Sequence, residues 1–236
     1  MLFSPFCNAL LAKEDNAENS KQSKQEMETT LVNFVYYLCI AMCCCCGNLV
    51  HAIELPKYTV VLSESDFQIR LFSESSWMLA RVSGTSFEQC YRSGFHRFYQ
   101  YIHGANSKST KIEYTAPVLT SVPSSSPGGD YTVRMYVSVG YEGKPPLPNP
   151  GLKLQIEKWE MQCIAVRKFS GYAKDDNINK EVEALVTSLN KHFNGSSATI
   201  QYTNSYTIAQ YNASLHNTTN RLNEVWIKVS GLRTEC

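Results

Sequence analysis

The chain has 236 residues, enough for one good-sized domain plus an extension. Its apolar fraction of 43%, with 14 Tyr and 10 Phe, suits a globular core. A formal net charge of +1, with no long basic stripe, gives no electrostatic case for a nucleic-acid partner.

Residues 1–26 are polar, mixed in charge and without periodicity. They hold no Arg and several acids, which argues against an organellar transit peptide. This stretch reads as a disordered extension, or as sequence ahead of a true start at Met27. Residues 29–50 contain no charged side chain, and Leu31 to Met42 is strongly apolar. The run ends at Val50-His51-Ala52, with residue types that a signal peptidase accepts. Residues 27–52 are therefore expected to be a signal peptide cleaved after Ala52, placing the protein outside the cell or in the endomembrane lumen. The alternative is a signal anchor, since residues 29–50 are long enough to cross a bilayer and would tie the protein to a membrane. Palmitoylation of Cys43 to Cys46 would strengthen that alternative.

The body opens with strands expected at Tyr58 to Leu62, Phe67 to Phe72 and Trp77 to Val82. In the second, Phe67, Ile69 and Leu71 alternate with polar residues. A helix follows from about Ser86 to His103, with Phe87, Tyr91, Phe95, Phe98 and Ile102 as its buried stripe and Gly104 as its C-terminal cap. Strands are predicted at Lys111 to Thr120 and Tyr131 to Val139. The proline-rich tract Gly143 to Gly151 is a stiff connector.

A second round repeats the order. A long strand covers Leu154 to Phe169, with a break near Trp159. Asp175-Asp176-Asn177 supplies capping side chains for a helix from Ile178 to Phe193. Strands at Ser205 to Tyr211 and Val225 to Val229 close the domain, which spans residues 53–231 and leaves 232–236 as a tail. Helices interrupting runs of strands indicate α+β rather than a doubly wound parallel sheet.

Of the nine cysteines, only Cys90, Cys163 and, in the tail, Cys236 follow residue 53, and C-x-x-C spacing for zinc is absent there. In an oxidising compartment Cys90–Cys163 is the first pairing to expect, with two separate buried thiols as the alternative. Asn194, Asn212 and Asn217 each head a glycosylation acceptor triplet in a loop-like segment.

Five strings occur in a fixed order: Phe67-Gln68-Ile69-Arg70, Tyr114-Thr115-Ala116-Pro117-Val118, Pro145-Pro146-Leu147-Pro148, Phe169-Ser170-Gly171-Tyr172-Ala173 and Asn223-Glu224-Val225-Trp226. Through them the chain resembles the SOUL haem-binding protein family over roughly residues 53–230. The resemblance implies a curved, partly closed antiparallel β-barrel flanked by two α-helices, built from two pseudo-repeated halves. It also implies haem or another tetrapyrrole as ligand, lying in a groove beside the first helix and closed by the loop before the last strand.

Glu88, Arg92, His96, Tyr99 and His103 form a second stripe on the first helix, about 110° round from the expected core face. Either this is a solvated face, or it binds a flat, anionic ligand. In the latter case Arg92 serves an acid group, Phe95 and Tyr99 wall the ring, and His96 is the best-placed metal-binding histidine, ahead of His103 and His216. Arg221, in the loop before the last strand, is the second cation. Three departures from the family pattern stand out. Leu71 occupies the place of an axial His, Tyr114 that of a Met, and Asn212-Ala213-Ser214 that of a proline pair.

Signals for an enzyme are poor: G-x-S-x-G, H-E-x-x-H and a Gly-rich phosphate loop are all missing. The alternative to a tetrapyrrole carrier, buffer or scavenger is an effector-sensing or hydrolase domain using a cavity near Glu224. A third reading makes the barrel a scaffold for interaction with other proteins.

Overall fold

Each of the two rounds becomes one half of a single sheet, but each half lends its opening strand or hairpin to the other. In the computed structural model, residues 27, 29–37, 53–122, 129–194, 201–202, 205–211 and 221–231 are described. The chain divides into two units, residues 1–52 and 53–236. In the first, residues 29–37 are helical and exposed. Among the described residues no helix is long and apolar enough to cross a membrane. Ala52, the Cys43–Cys46 cluster, Asn212, Asn217 and His216 lie outside the described residues.

The second unit runs β1 (Tyr58–Ser63), β2 (Gln68–Phe72), β3 (Ser75–Ser83), α1 (Phe87–Ile102), β4 (Val118–Val122) and β5 (Asp130–Val137). It continues with β6 (Leu154–Trp159), β7 (Gln162–Ser170), α2 (Asp175–Phe193), β8 (Gln201–Tyr202), β9 (Tyr206–Gln210) and β10 (Leu222–Ser230). All ten strands join one sheet, ordered β1-β2-β7-β10-β9-β4-β5-β3-β6, with β8 beside β10. Every strand pair in it is antiparallel. The order is palindromic about the β4–β9 pair: β5, β3 and β6 on one side answer β10, β7 and β2 on the other. Edge strand β6 opens round two yet pairs with β3 of round one, while the β1–β2 hairpin opens round one and pairs through β2 with β7 of round two. The result is the expected α+β class, a curled, partly open barrel with helices on one face.

Several expected boundaries move for local reasons. The strand predicted from Lys111 begins only at Val118. Pro117 precedes it without an N–H to give to a ladder. The long strand of round two breaks at Glu160-Met161. The proline tract is fastened to the end of α1 by the Tyr101 hydroxyl, which donates to the Pro146 carbonyl at 2.7 Å. Helix α2 starts at Asp175, one turn earlier than its apolar periodicity indicates. Asn177 accepts a hydrogen bond from the Lys174 N–H, whereas Asp175 reaches across to accept from the Phe87 N–H and so caps α1.

Two apolar layers result, because strand side chains alternate between faces. The helix-side layer includes Ile69, Met78, Val133, Phe98, Leu185 and Leu189. The other layer gathers Phe72, Trp77, Leu119, Tyr136, Ile164 and Trp226. The expected Cys90–Cys163 disulfide is overturned. Cys90 is a buried free thiol, and Cys163 is disulfide-bonded to a partner outside the described residues. The physical reason is layout: Cys90 belongs to α1, which packs on β3, β4 and β5, while Cys163 lies on β7 beneath α2.

Helix α1 also rotates relative to its expected setting. Its buried residues are Phe87, Cys90, Gly94, Phe98, Tyr101 and Ile102, and Tyr91 and Phe95 are only half-buried. Gly94 causes this. A Cβ there would stand 2.6 Å from Val133 Cβ and Cγ2, so the bare backbone of α1 rests directly on β5. Gly94→Ala is expected to cost about 1–3 kcal/mol despite its better helix propensity. Val133→Ala should be less damaging in that background than alone, a coupling measurable by urea unfolding of the four variants.

Candidate functional site

The rotation of α1 leaves an aromatic flank facing the start of β10. Phe87, Tyr91 and Phe95 stack along it, with ring centroids 6.3 Å and 5.8 Å apart and interplanar angles of 8° and 22°. Spacings of four residues put all three on one edge of the helix. Tyr114, just ahead of β4, packs against the same layer. Burial pushes the Tyr91 phenol up to about 12, with the Arg221 charge pulling the other way. Tyr114 is raised as well, first by burial and then by Tyr91. Arg221, the residue before β10, holds its guanidinium 4.1 Å from the centre of the Tyr172 ring.

Two polar atoms of this flank are buried without a hydrogen-bond partner: the Tyr114 hydroxyl and Arg221 Nε. Buried donors are nearly always satisfied in folded proteins. A hydroxyl and a guanidinium N–H beside an aromatic wall are complementary to an acid group on a flat apolar body. The residues present therefore fit a tetrapyrrole bearing carboxylates.

The sequence-predicted residues are divided by this geometry. Phe95 and Arg221 belong to the flank. Arg92 is exposed and lines a shallow surface recess with Glu88, Gln89 and Ser93. Tyr99 is half exposed and stacks on His103 with ring centroids 4.0 Å apart. His96 is exposed, and its Nε2 lies 2.8 Å from the Gln100 side-chain nitrogen. With the core face centred near Gly94, the predicted stripe lies about 150° round the helix, and His96 is close to opposite. Among the described residues there is no group of three or more His, Cys, Asp or Glu placed to hold a metal ion. Leu71, in place of the axial His, is half-buried and packs against the helix-side layer. Sequence reasoning assigned Tyr91 to the core and missed Tyr114 and Tyr172 as flank residues. Their signals were membership of the Tyr114-to-Val118 and Phe169-to-Ala173 strings and, for Tyr114, its place where the family pattern has a Met.

Comparison with known proteins follows the same outline. Residues 53–228 match the family described as SOUL heme-binding protein. The chain belongs to that family. It is 26% identical over 187 residues to heme-binding protein 2 of Mus musculus, covering 77% of this chain and 88% of that protein. Heme-binding protein 2 of Homo sapiens is 27% identical over 164 residues, covering 68% and 77%. Heme-binding protein 1 of Xenopus laevis is 30% identical over 112 residues, covering 46% and 58%. Among solved structures, the C-terminal domain of EcmrR superposes with a TM-score of 0.52 at 12% identity, covering 74% of this chain and 99% of that one. That likeness concerns the fold alone.

Within this SOUL fold, Glu224 lies on the sheet face turned away from the helices, and it is fully engaged. Arg70 Nη1 sits 3.0 Å from Glu224 Oε1, both side chains being 2% exposed. The Tyr211 hydroxyl donates to Glu224 Oε2 at 2.6 Å and Trp226 Nε1 donates to it at 2.8 Å. Gln68 Oε1 accepts from Arg70 Nε and Nη2, and the guanidinium carbon lies 4.5 Å from the Tyr58 ring centre. Burial, and then the Glu224 charge, raise the Tyr211 phenol far above its usual range. The acid that the sequence marks as a cavity residue thus carries its cation within the chain. Removing one partner strands a buried charge, so Arg70→Met is expected to cost about 3–5 kcal/mol. Arg70→Met with Glu224→Gln should recover part of that loss, measured by denaturant unfolding.

Proposed function

We propose that this protein binds haem or a related tetrapyrrole non-covalently against the flank of α1, as a carrier, buffer or scavenger. The observation that carries the reading is the pair of unsatisfied buried donors, Tyr114 Oη and Arg221 Nε, beside the Phe87–Tyr91–Phe95 stack. The macrocycle lies on the aromatic edges, where apolar area leaves water. One carboxylate accepts from Arg221, whose guanidinium is already oriented by the Tyr172 ring, and from the Tyr114 hydroxyl. The heme-binding relatives and the family match support the same ligand class.

Binding by carboxylate and ring contact requires no histidine on the flank, and His96 faces away from it. We therefore expect iron-free protoporphyrin to bind with an affinity similar to that of hemin. A catalytic role for Glu224 is disfavoured by its surroundings, since Arg70, Tyr211 and Trp226 already occupy its oxygens.

Hemin titration followed in the Soret band tests this directly. Arg221→Ala is expected to weaken binding about tenfold and Tyr114→Phe less, each change being one charge-assisted or neutral hydrogen bond. His96→Ala should leave affinity unchanged. An absent Soret shift at micromolar hemin, or full affinity in Arg221→Ala, would reject the site.

We propose as well that the protein travels the secretory route, with residues 27–52 as its leader. Cys163 is disulfide-bonded, a state that persists in oxidising compartments. Asn194, the acceptor residue of the first triplet, is exposed at the C-terminal cap of α2. N-terminal sequencing of protein recovered from a eukaryotic culture medium is expected to begin at Ile53, with a mobility shift on glycosidase treatment that Asn194→Gln reduces. Recovery in the membrane fraction with residues 29–50 intact would select the anchor instead.

A further inference from the structure

The sheet face turned away from the helices carries a recess that tetrapyrrole binding does not use. Its volume is about 520 Å³, and its lining includes Ile164, Met161, Trp159 and Trp226. A cavity of this size matches a small organic ligand. Trp159 is held in place before any ligand arrives. Its ring lies 4.9 Å from that of Trp77, its Nε1 donates to Glu157 at 2.9 Å, and the Arg134 guanidinium lies 5.6 Å from its centre. Such fixed aromatic walls lose little entropy when a second ring stacks on them.

The charge of the recess is uneven. Arg134 is 13% exposed and bonds Ser121 Oγ at 2.8 Å and Glu157 Oε2 at 2.5 Å. Burial pushes the Glu157 carboxyl up, but the Arg134 hydrogen bond and charge outweigh it and hold the group below the ordinary carboxylate range. That pair is thus internally neutral. Of the remaining ionic lining, Lys158, Lys228 and Glu160, Lys158 alternates to the opposite face of β6, with its Cε beside Gly143, which leaves Lys228 as the cation of this face. Lys228 has no ion-pair partner among the described residues. Ser121 and Thr207, whose hydroxyls lie 2.8 Å apart, add hydrogen-bonding groups on the same wall.

We infer that this recess is a second binding site, specific for a flat aromatic organic anion of roughly two or three rings. The ring system stacks against Trp159 above the buried Trp226, and the carboxylate or sulfonate takes Lys228 as its counter-ion. Organic cations are disfavoured there. Glu224, the buried acid of the same face, is already neutralised by Arg70, and Lys228 repels positive charge.

The test uses the full chain and the fluorescent sulfonate 8-anilino-1-naphthalenesulfonate, excited by energy transfer from tryptophan. Trp77, Trp159 and Trp226 all belong to this face, so transfer reports on it efficiently. Saturable binding of one molecule is expected, weakened about tenfold by Lys228→Glu and unchanged in Arg221→Ala. The uncharged analogue N-phenyl-1-naphthylamine should bind no differently to the parent and to Lys228→Glu. Lys228 is exposed, so an unaltered melting temperature will show that the fold is intact. The proposal is overturned by non-saturable binding, by an unaffected sulfonate affinity in Lys228→Glu, or by loss of sulfonate binding in Arg221→Ala. Hemin affinity in Lys228→Glu should match the parent, which keeps failure of this site distinct from failure of the tetrapyrrole site.

Discussion

Helix α1 touches the sheet through its backbone at Gly94, and that contact sets the angle of the whole helix. Val133 fills the space where a side chain would otherwise stand. With Gly94 at the centre of the interface, Cys90, Phe98 and Tyr101 go under the helix. Tyr91 and Phe95 then move out to its edge, and His96 turns to water. Helix side chains are tied to the backbone at fixed angles, so one close approach reassigns every residue on the helix at once. The position of the aromatic flank follows from it.

The sheet gives the protein two chemically different faces. Toward the helices it is apolar, apart from pairs such as Arg167 with Glu181 that join β7 to α2. Among the described residues, the other face carries two ion pairs, each bridging over one intervening strand. Arg70 of β2 meets Glu224 of β10 across β7, and Glu157 of β6 meets Arg134 of β5 across β3. In the palindromic strand order these are equivalent positions with the signs exchanged. A tryptophan N–H donates to the carboxylate in both cases, from Trp226 and from Trp159. The first pair is sealed and the second is partly open to solvent. Burial therefore decides which end of this face remains available to a ligand.

Strand exchange between the halves explains why they form one domain. The β1–β2 hairpin and β6 each join the sheet through a strand of the other round, so separating the halves would leave β3 and β7 as bare edges. Unpaired edges at the centre of a sheet are costly in hydrogen bonds and prone to wrong pairing. The proline tract that joins the rounds is correspondingly short of freedom: Leu147, Pro146 and Asn149 are tied back to Ser107, Tyr101 and Ala105.

Local signals were sufficient for most elements of this protein. Alternation marked β2, helical spacing with Ser86 and Gly104 at the ends marked α1, and the five ordered strings pointed to the family. These features depend on residues close in the chain, where periodicity and capping act directly. What the amino-acid order left open depended on contacts between distant segments. Tyr91 looked like core because its spacing from Phe87 and Phe98 suits a buried stripe, and only Val133 beneath Gly94 moved it outward. Cys90 and Cys163 were equally good partners until α1 and α2 came to lie over different strands. Glu224 resembled a free cavity acid because Arg70, 154 residues earlier, reaches it only when β2 crosses to the other half. Sequence alone determined the kinds of elements and their order, since those arise within a few turns of chain. Tertiary structure decided which faces met, because burial and charge pairing are properties of the assembled sheet.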